Sequence, residues 1–166
     1  MRKSARRREV SPPPAPSPIP PLGMGKRGEK GHLAYLLRQA NVALRAHLER
    51  ALAVQGVTQA QFAVLTMISA YPGLSNADLA RLSLLTPQTL SVTVANLKRD
   101  GLVESRPHAV HGRIRTLDLT DKGSARLTRC RTLVREIEKA LAADLTAAEE
   151  QIVRKWLTHV AVTCSA

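Results

Sequence analysis

The sequence lacks the residues and motifs on which most enzymes depend. It has no glycine-rich phosphate loop, no nucleophile elbow and no carboxylate pair at catalytic spacing. It has only two cysteines, Cys130 and Cys164, both on apolar stripes typical of core positions, and no disulfide is implied. We therefore expect a protein that is not an enzyme, needs no cofactor and works in the cytoplasm.

A metal site is also poorly supported. His108 and His111 stand three residues apart, but no cysteine or carboxylate nearby completes a ligand set. A redox- or metal-responsive protein stays an alternative, because sequence alone does not reveal a reactive thiol.

Acidic residues are scarce, with 13 against 25 basic residues and a net charge of +12. Residues 1–30 hold eight basic and two acidic residues, and residues 75–131 hold ten and five. Residues 132–166 are slightly acidic, with four basic and five acidic residues. The excess suggests a polyanionic partner that binds within residues 75–131.

Charge is absent from residues 51–77, but Gln55, Gln61 and Asn76 exclude a membrane span there. The apolar residues of this segment are expected to be deeply buried. A first amphipathic helix is predicted over residues 32–54, ending at Gly56.

Two helix starts lie close together after this segment. Ser75 can cap a helix with Asp78 three residues on, and Thr86 can cap another ahead of Pro87. Two short helices joined by a tight turn predict a helix-turn-helix. The expected inward positions are Leu79, Leu82, Leu90, Val94 and Leu97.

Gly101 supplies a helix C-terminus, and two short candidate strands follow at residues 102–106 and 114–119. A helix-turn-helix followed by a hairpin is a winged helix. The predicted fold is mainly α (α+β), with a winged helix at about residues 58–120.

Residues 31–166 resemble the MarR-type (multiple antibiotic resistance regulator) transcriptional repressors. The matching segments are Asn76-x-Asp78-Leu79-Ala80, Gly101-Leu102-Val103, Gly112-Arg113 and Leu119-Thr120-x-x-Gly123. The resemblance implies a winged helix-turn-helix regulator that binds double-stranded DNA, is usually a repressor and is often released by a small aromatic ligand.

Long helices should flank the winged helix, at residues 32–54 and 121–164. The second region begins with an apolar seam at Leu127, Cys130, Val134, Ile137 and Leu141, followed by a last helix capped at Thr146. Packing against a second copy would bury this excess apolar surface, so we expect a two-fold homodimer and a pseudo-palindromic operator.

The recognition helix carries no charge from Pro87 to Leu97, so neutral groups should read the bases. Basic wing residues and helix starts should contact the backbone, with Lys98 and Arg99 as further phosphate candidates. Thr93 and Asn96 are expected either to reach DNA or to face solvent. The candidate DNA-binding residues are Ser75, Thr86, Gln88, Thr89, Ser91, Val92, Asn96, Arg106, Arg113 and Arg115.

The family resemblance also implies a pocket for a small aromatic effector. Residues that could border it are Tyr35, Arg38, His47 and Phe62, although core packing or surface exposure explains each equally well.

Residues 1–30 form a basic, proline-rich tail that is expected to be disordered. It could be a plain extension, with Met24 as an alternative start, or a basic arm that adds nonspecific DNA affinity. A nonspecific DNA-compacting protein is therefore a further alternative to a specific, nucleoid-associated repressor.

Overall fold

A computed structural model describes residues 19–107 and 115–165 of the chain. The chain divides into two compact units, residues 1–41 and 42–166. Helix α1, Leu33–Ala53, begins in the first unit and ends in the second, close to the predicted bounds.

The first unit places a short 3-10 helix, Gly25–Arg27, ahead of α1. The Arg27 guanidinium donates to the Pro20 carbonyl at 2.9 Å, and the Gln39 amide donates to the Arg27 carbonyl at 3.0 Å. Residues 19–30 of the predicted tail thus include a helical turn. Its first 18 residues lie outside the described part of the chain.

The second unit contains a helix-turn-helix and a hairpin, in the predicted order. Its elements are α2 Gln59–Ala70, α3 Asn76–Leu82, α4 Pro87–Arg99, β1 Val103–Pro107, β2 Arg115–Leu119, α5 Asp121–Ala142 and α6 Ala147–Thr163. The strands pair antiparallel, with Val103 opposite Leu119. The predicted winged helix is therefore confirmed.

The helix starts follow the local sequence signals. Thr58 and Thr146 each form a complete capping box with the residue three positions on. Thr86 accepts the Thr89 amide ahead of Pro87, and Thr120 accepts the Gly123 amide. These caps satisfy backbone donors that lack a partner inside the helix, which fixes where each helix begins.

Helix α4 ends in a left-handed glycine. Gly101 has φ +69°, and its amide donates to the Lys98 carbonyl at 3.0 Å. The Leu102 amide reaches back to the Leu97 carbonyl at 2.9 Å. This pair of hydrogen bonds is the Schellman arrangement, for which glycine is the usual residue.

Helix α3 ends in the same arrangement, but with a leucine in the left-handed position. Leu84 has φ +55° and donates to the Arg81 carbonyl at 3.1 Å. Leu85 donates to the Ala80 carbonyl at 2.9 Å. Because a Cβ disfavours this backbone conformation, the turn of the helix-turn-helix is strained.

The core of the second unit is centred on α2, which packs against α3, α4, α5 and β2. The prediction for the uncharged segment holds in part: Leu52, Val57, Val64, Leu65 and Ile68 are buried, whereas Val54 and Tyr71 are 76% and 53% exposed. The clustered buried residues are Leu52, Val57, Val64, Leu65, Ile68, Leu79, Ala80, Leu90, Val94, Leu97, Leu102, Val103, Leu117, Leu127 and Cys130.

Two predicted core positions, Leu82 and Cys164, are exposed. Leu82 is 43% exposed, and the neighbouring Ser83 is buried instead. Leu82 is the last residue of α3, and the chain turns away there, so the apolar spacing of the sequence no longer corresponds to a face on the core.

The C-terminal helices leave apolar surface uncovered in a single chain. Of the α5 seam, Leu127, Cys130 and Ile137 are buried, while Leu141 is 56% exposed. Helix α6, which is described throughout, has no buried residue; its exposed large apolar side chains are Ile152, Val153, Trp156, Leu157 and Val162. Within the described residues, no helix is both long and apolar enough to cross a membrane.

Candidate DNA-binding surface

Helix α4 has one buried and one exposed face. Its buried residues are Leu90, Thr93, Val94 and Leu97. The opposite face presents Gln88, Thr89, Ser91 and Val92 to solvent, and Val92 is 62% exposed. Asn96 is half-buried at the edge. The exposed face is therefore neutral and mixed in chemistry, with an amide, two hydroxyls and one branched apolar side chain.

Thr93 does not belong to this exposed face. It is 6% exposed, and its hydroxyl donates to the Thr89 carbonyl at 2.8 Å. The sequence suggested that Thr93 either reaches DNA or faces solvent, and both expectations are wrong. The hydroxyl is satisfied by its own helix, which lets a polar side chain sit at an inward position.

The exposed hydroxyls of α4 already have partners. Ser91 donates to the Pro87 carbonyl at 2.9 Å, and the Thr86 and Thr89 hydroxyls lie 2.9 Å apart. To donate to a base, a hydroxyl would have to give up such a bond, whereas its oxygen can still accept from a base as it stands. Among the described residues, none hydrogen-bonds to the Gln88 side chain, so Gln88 can pair with a base without losing a contact.

A cleft of about 260 Å³ lies between the start of α3 and the outer face of α4. Its lining residues are Asn76, Leu90, Ser91, Val94, Ala95 and Lys98. The Lys98 ammonium donates to the Ser105 hydroxyl, a neutral group, at 2.6 Å, and no carboxylate of the described residues forms an ion pair with Lys98. The sequence did not predict Asn76 or Ala95 as DNA-binding residues, because their place beside α4 depends on how the two helices pack.

The start of α3 is less open to a phosphate than its sequence suggested. The Ser75 hydroxyl accepts the Asp78 amide at 3.2 Å and donates to the Asp78 carboxylate at 2.6 Å. The same carboxylate pairs with Arg81 at 2.6 Å. A negative charge at this helix start opposes an approaching phosphate, so any contact from Ser75 competes with Asp78.

Arg106 on β1 is held by carboxylates of the hairpin. Its Nη2 and Nε lie 2.6 and 2.8 Å from Glu104 Oε1, and Asp118 Oδ2 lies 3.6 Å from Nε. The hydrogen bond and charge of Glu104, followed by the charge of Asp118, raise the pKa of Arg106 above its ordinary value. The charges of these carboxylates oppose an approaching phosphate, which weakens any contact that Arg106 makes with the DNA backbone.

The remaining wing candidates are not placed. Arg115 opens β2, but its side chain lies outside the described residues, as do Arg113, His108 and His111. Their roles stay predictions. In the described part of the chain, no three metal-ligating side chains come together.

The proposed effector residues differ in their surroundings. Tyr35 and Arg38 are exposed on α1 in the first unit. In the second unit, His47 is exposed, while Phe62 is partly buried against the core. Core packing or surface exposure explains each of these positions as well as contact with a ligand does.

Comparison with known proteins shows to which family the chain belongs. A family model described as the MarR family matches residues 55–114. The HTH-type transcriptional repressor Rv2887 of Mycobacterium tuberculosis is 36% identical over 126 residues, which cover 75% of this chain and 90% of Rv2887. The chain belongs to the MarR family.

Solved structures agree with this membership. Rv2887 in complex with DNA matches with a TM-score of 0.63 and 32% identity, over 78% of this chain and 97% of Rv2887. Rv2887 in complex with salicylic acid gives a TM-score of 0.64 and 32% identity, over 78% and 96%. The present chain, as a member of the MarR family, is a transcriptional regulator. The segment that the family model matches runs from the turn after α1 to the wing.

Proposed function

We propose that this MarR-family regulator is a homodimeric repressor that reads a pseudo-palindromic operator and is released by a small aromatic ligand. The observation that carries the proposal is the neutral, solvent-exposed face of α4 in a winged helix. Its relative Rv2887 is a repressor with known DNA and salicylic acid complexes, which supports each part by analogy.

The bases are read by the exposed face of α4. Gln88 offers an amide that can bond to both N6 and N7 of adenine, and Val92 can touch a thymine methyl. Thr89 and Ser91 supply further acceptors but can donate only by giving up a present hydrogen bond, and the amide of Asn96 is half-buried. Gln88 should therefore contribute most to base discrimination.

The DNA backbone is held by groups flanking α4. Lys98 pairs with no carboxylate among the described residues, and Arg113, which the sequence predicts at the wing tip, suits a narrow minor groove. Ser75 and Arg106 are weaker phosphate contacts in this proposal because carboxylates compete for them. Thr86 and Arg115 are further proposed contacts. These contacts set affinity and salt dependence rather than sequence preference.

Dimerisation supplies the operator geometry. The uncovered apolar side chains of α6, together with Leu141, are a surface that a second copy can bury. Two recognition helices related by a two-fold axis then enter successive major grooves about 34 Å apart. The protein accordingly acts in the cytoplasm at the nucleoid.

Release by a ligand requires that the ligand bind the DNA-free form more tightly than the DNA-bound form. A small aromatic acid is the proposed effector class, since salicylic acid binds Rv2887. Tyr35, Arg38, His47 and Phe62 are the proposed contacts. Titrating salicylate into the protein–operator complex tests this part, and undiminished DNA binding at saturation would reject it.

The decisive experiment measures binding to duplexes from the protein's own genomic neighbourhood and to random duplex at two salt concentrations. Gln88→Ala should lose about 1–3 kcal/mol at one base position, whereas Gln151→Ala on α6 serves as the matched control. Arg113→Ala should lower the salt slope by about one. Equal affinity for all duplexes would favour a nonspecific compacting role, and deleting residues 1–30 would show the contribution of the basic tail.

A further inference from the structure

The first turn of α5 binds three successive carbonyls at the end of the recognition helix. Lys122 Nζ donates to the Asp100 carbonyl at 2.7 Å, and the Thr120 hydroxyl donates to the Gly101 carbonyl at 2.7 Å. The Thr120 amide donates to the Leu102 carbonyl at 3.2 Å. These acceptors form the α4–β1 turn, at the negative end of the α4 dipole.

The contact is too close to tolerate a larger residue. A Cβ on Gly123 would lie 2.0 Å from the Leu102 carbonyl oxygen, so only glycine permits this approach. The Thr120 hydroxyl has two roles, since it also accepts the Gly123 amide at 3.0 Å as the N-cap of α5. One side chain thus starts α5 and binds the end of α4.

We propose that Thr120 and Lys122 are positioning residues for DNA reading: they set the angle of α4 relative to α5. The proposal rests on the proposed function, in which α5 and α6 form the dimer and α4 contacts bases. On this basis the junction is a hydrogen-bonded link from the dimerisation helices to the end of the recognition helix, beside the packing of α4 and α5 against α2. Neither residue needs to touch DNA to affect binding.

Because α4 is long, a small change in its angle displaces its N-terminal end by a large distance. Its 13 residues span about 20 Å, so a tilt of about 5° at the junction moves the N-terminal end by about 1.7 Å. That end carries Gln88, and a hydrogen bond to a base tolerates only a few tenths of an ångström. A loosened junction should therefore weaken specific binding and relax the required spacing between half-sites.

The test compares Thr120→Val and Lys122→Met with Thr120→Ser, which keeps the hydroxyl. Thr132→Val and Lys139→Met on the outside of α5 are matched controls for the loss of a hydroxyl and of a charge. Operator affinity should fall about three- to tenfold in the first two variants, with an unchanged salt slope. The affinity lost on inserting one base pair between the half-sites should be smaller in these two variants than in the wild type. Thr120→Ser should keep the operator affinity and the insertion penalty of the wild type.

A lower salt slope for Lys122→Met would make Lys122 a phosphate contact and overturn the positioning role. The positioning role would also be overturned if Thr120→Val and Lys122→Met lost stability but kept the operator affinity and the half-site spacing preference of the wild type. Hydrogen exchange of the 98–102 amides, measured without DNA, separates this proposal from the proposed function. Faster exchange there in Thr120→Val and Lys122→Met supports the junction even if no operator is recognised, and unchanged exchange rejects it.

Discussion

Replacing Leu84 by glycine should stabilise the protein, although it deletes a large apolar side chain. Leu84 is 91% exposed, so little burial is lost, and its φ of +55° is one that glycine adopts freely. Removing the cost of a Cβ in the left-handed conformation raises the free energy of unfolding by about 1–2 kcal/mol. The greater freedom of glycine in the unfolded chain costs about 0.5–1 kcal/mol. The net expectation is a gain of about 0.5–1 kcal/mol.

The reciprocal change at the end of α4 provides the control. Gly101 occupies the equivalent position with φ +69°, and a Cβ there would have only Lys122 Nζ nearby, at 4.0 Å. The space is open, so Gly101→Ala should lose stability through backbone strain alone, by about 0.5–1 kcal/mol. The two substitutions should therefore shift stability in opposite directions.

Urea and thermal unfolding at one fixed protein concentration measure both effects, because the stability of a dimer depends on concentration. A change of 1 kcal/mol corresponds to a Tm shift of about 2–4 °C for a chain of this size. If Leu84→Gly instead lost 1 kcal/mol or more, the exposed leucine would have to make a stabilising contact in the assembled protein, and the strain argument would be refuted.

Two further predictions concern titration and thiol chemistry. Hydrogen bonds from the Thr146 side chain and backbone lower the pKa of Glu149, so the stability it provides is present above its unfolded pKa of about 4.3 and is lost as pH falls through the folded pKa. Urea unfolding should show a smaller difference in the free energy of unfolding between wild type and Glu149→Ala at pH 3 than at pH 7; an equal difference would contradict a stabilising role of the ionised carboxylate. Burial raises the pKa of the Cys130 thiol while Cys164 is exposed, so iodoacetamide should label Cys164 in the native protein and Cys130 only after unfolding. Rapid native labelling of Cys130 would revive a thiol-sensing role.

The start and end signals of most elements were readable from sequence because they act over three or four residues. Ser75, Thr86 and Thr146 cap helices as predicted, and Gly101 ends α4 in the left-handed conformation. The neutral character of the recognition helix was also a property of composition alone. These features require no knowledge of which elements pack together.

The electrostatic part of the candidate site could not be predicted in the same way. Arg106 is a basic residue in a basic segment, yet antiparallel pairing brings Asp118 opposite Glu104 and surrounds the guanidinium with carboxylates. Thr93 has the composition of a surface residue, but the packing of α4 turns it inward. Side-chain charge and polarity were known from the sequence, whereas their partners were not.

A capped helix-turn-helix with a wing follows from the sequence alone, since hydrogen bonds to neighbouring backbone groups and apolar spacing are local properties. The contacts of Thr120 and Lys122 with the end of α4 are visible only in the folded chain, because their acceptors lie about 20 residues away in the sequence. Contacts at that separation depend on how whole elements dock, and no local pattern specifies them.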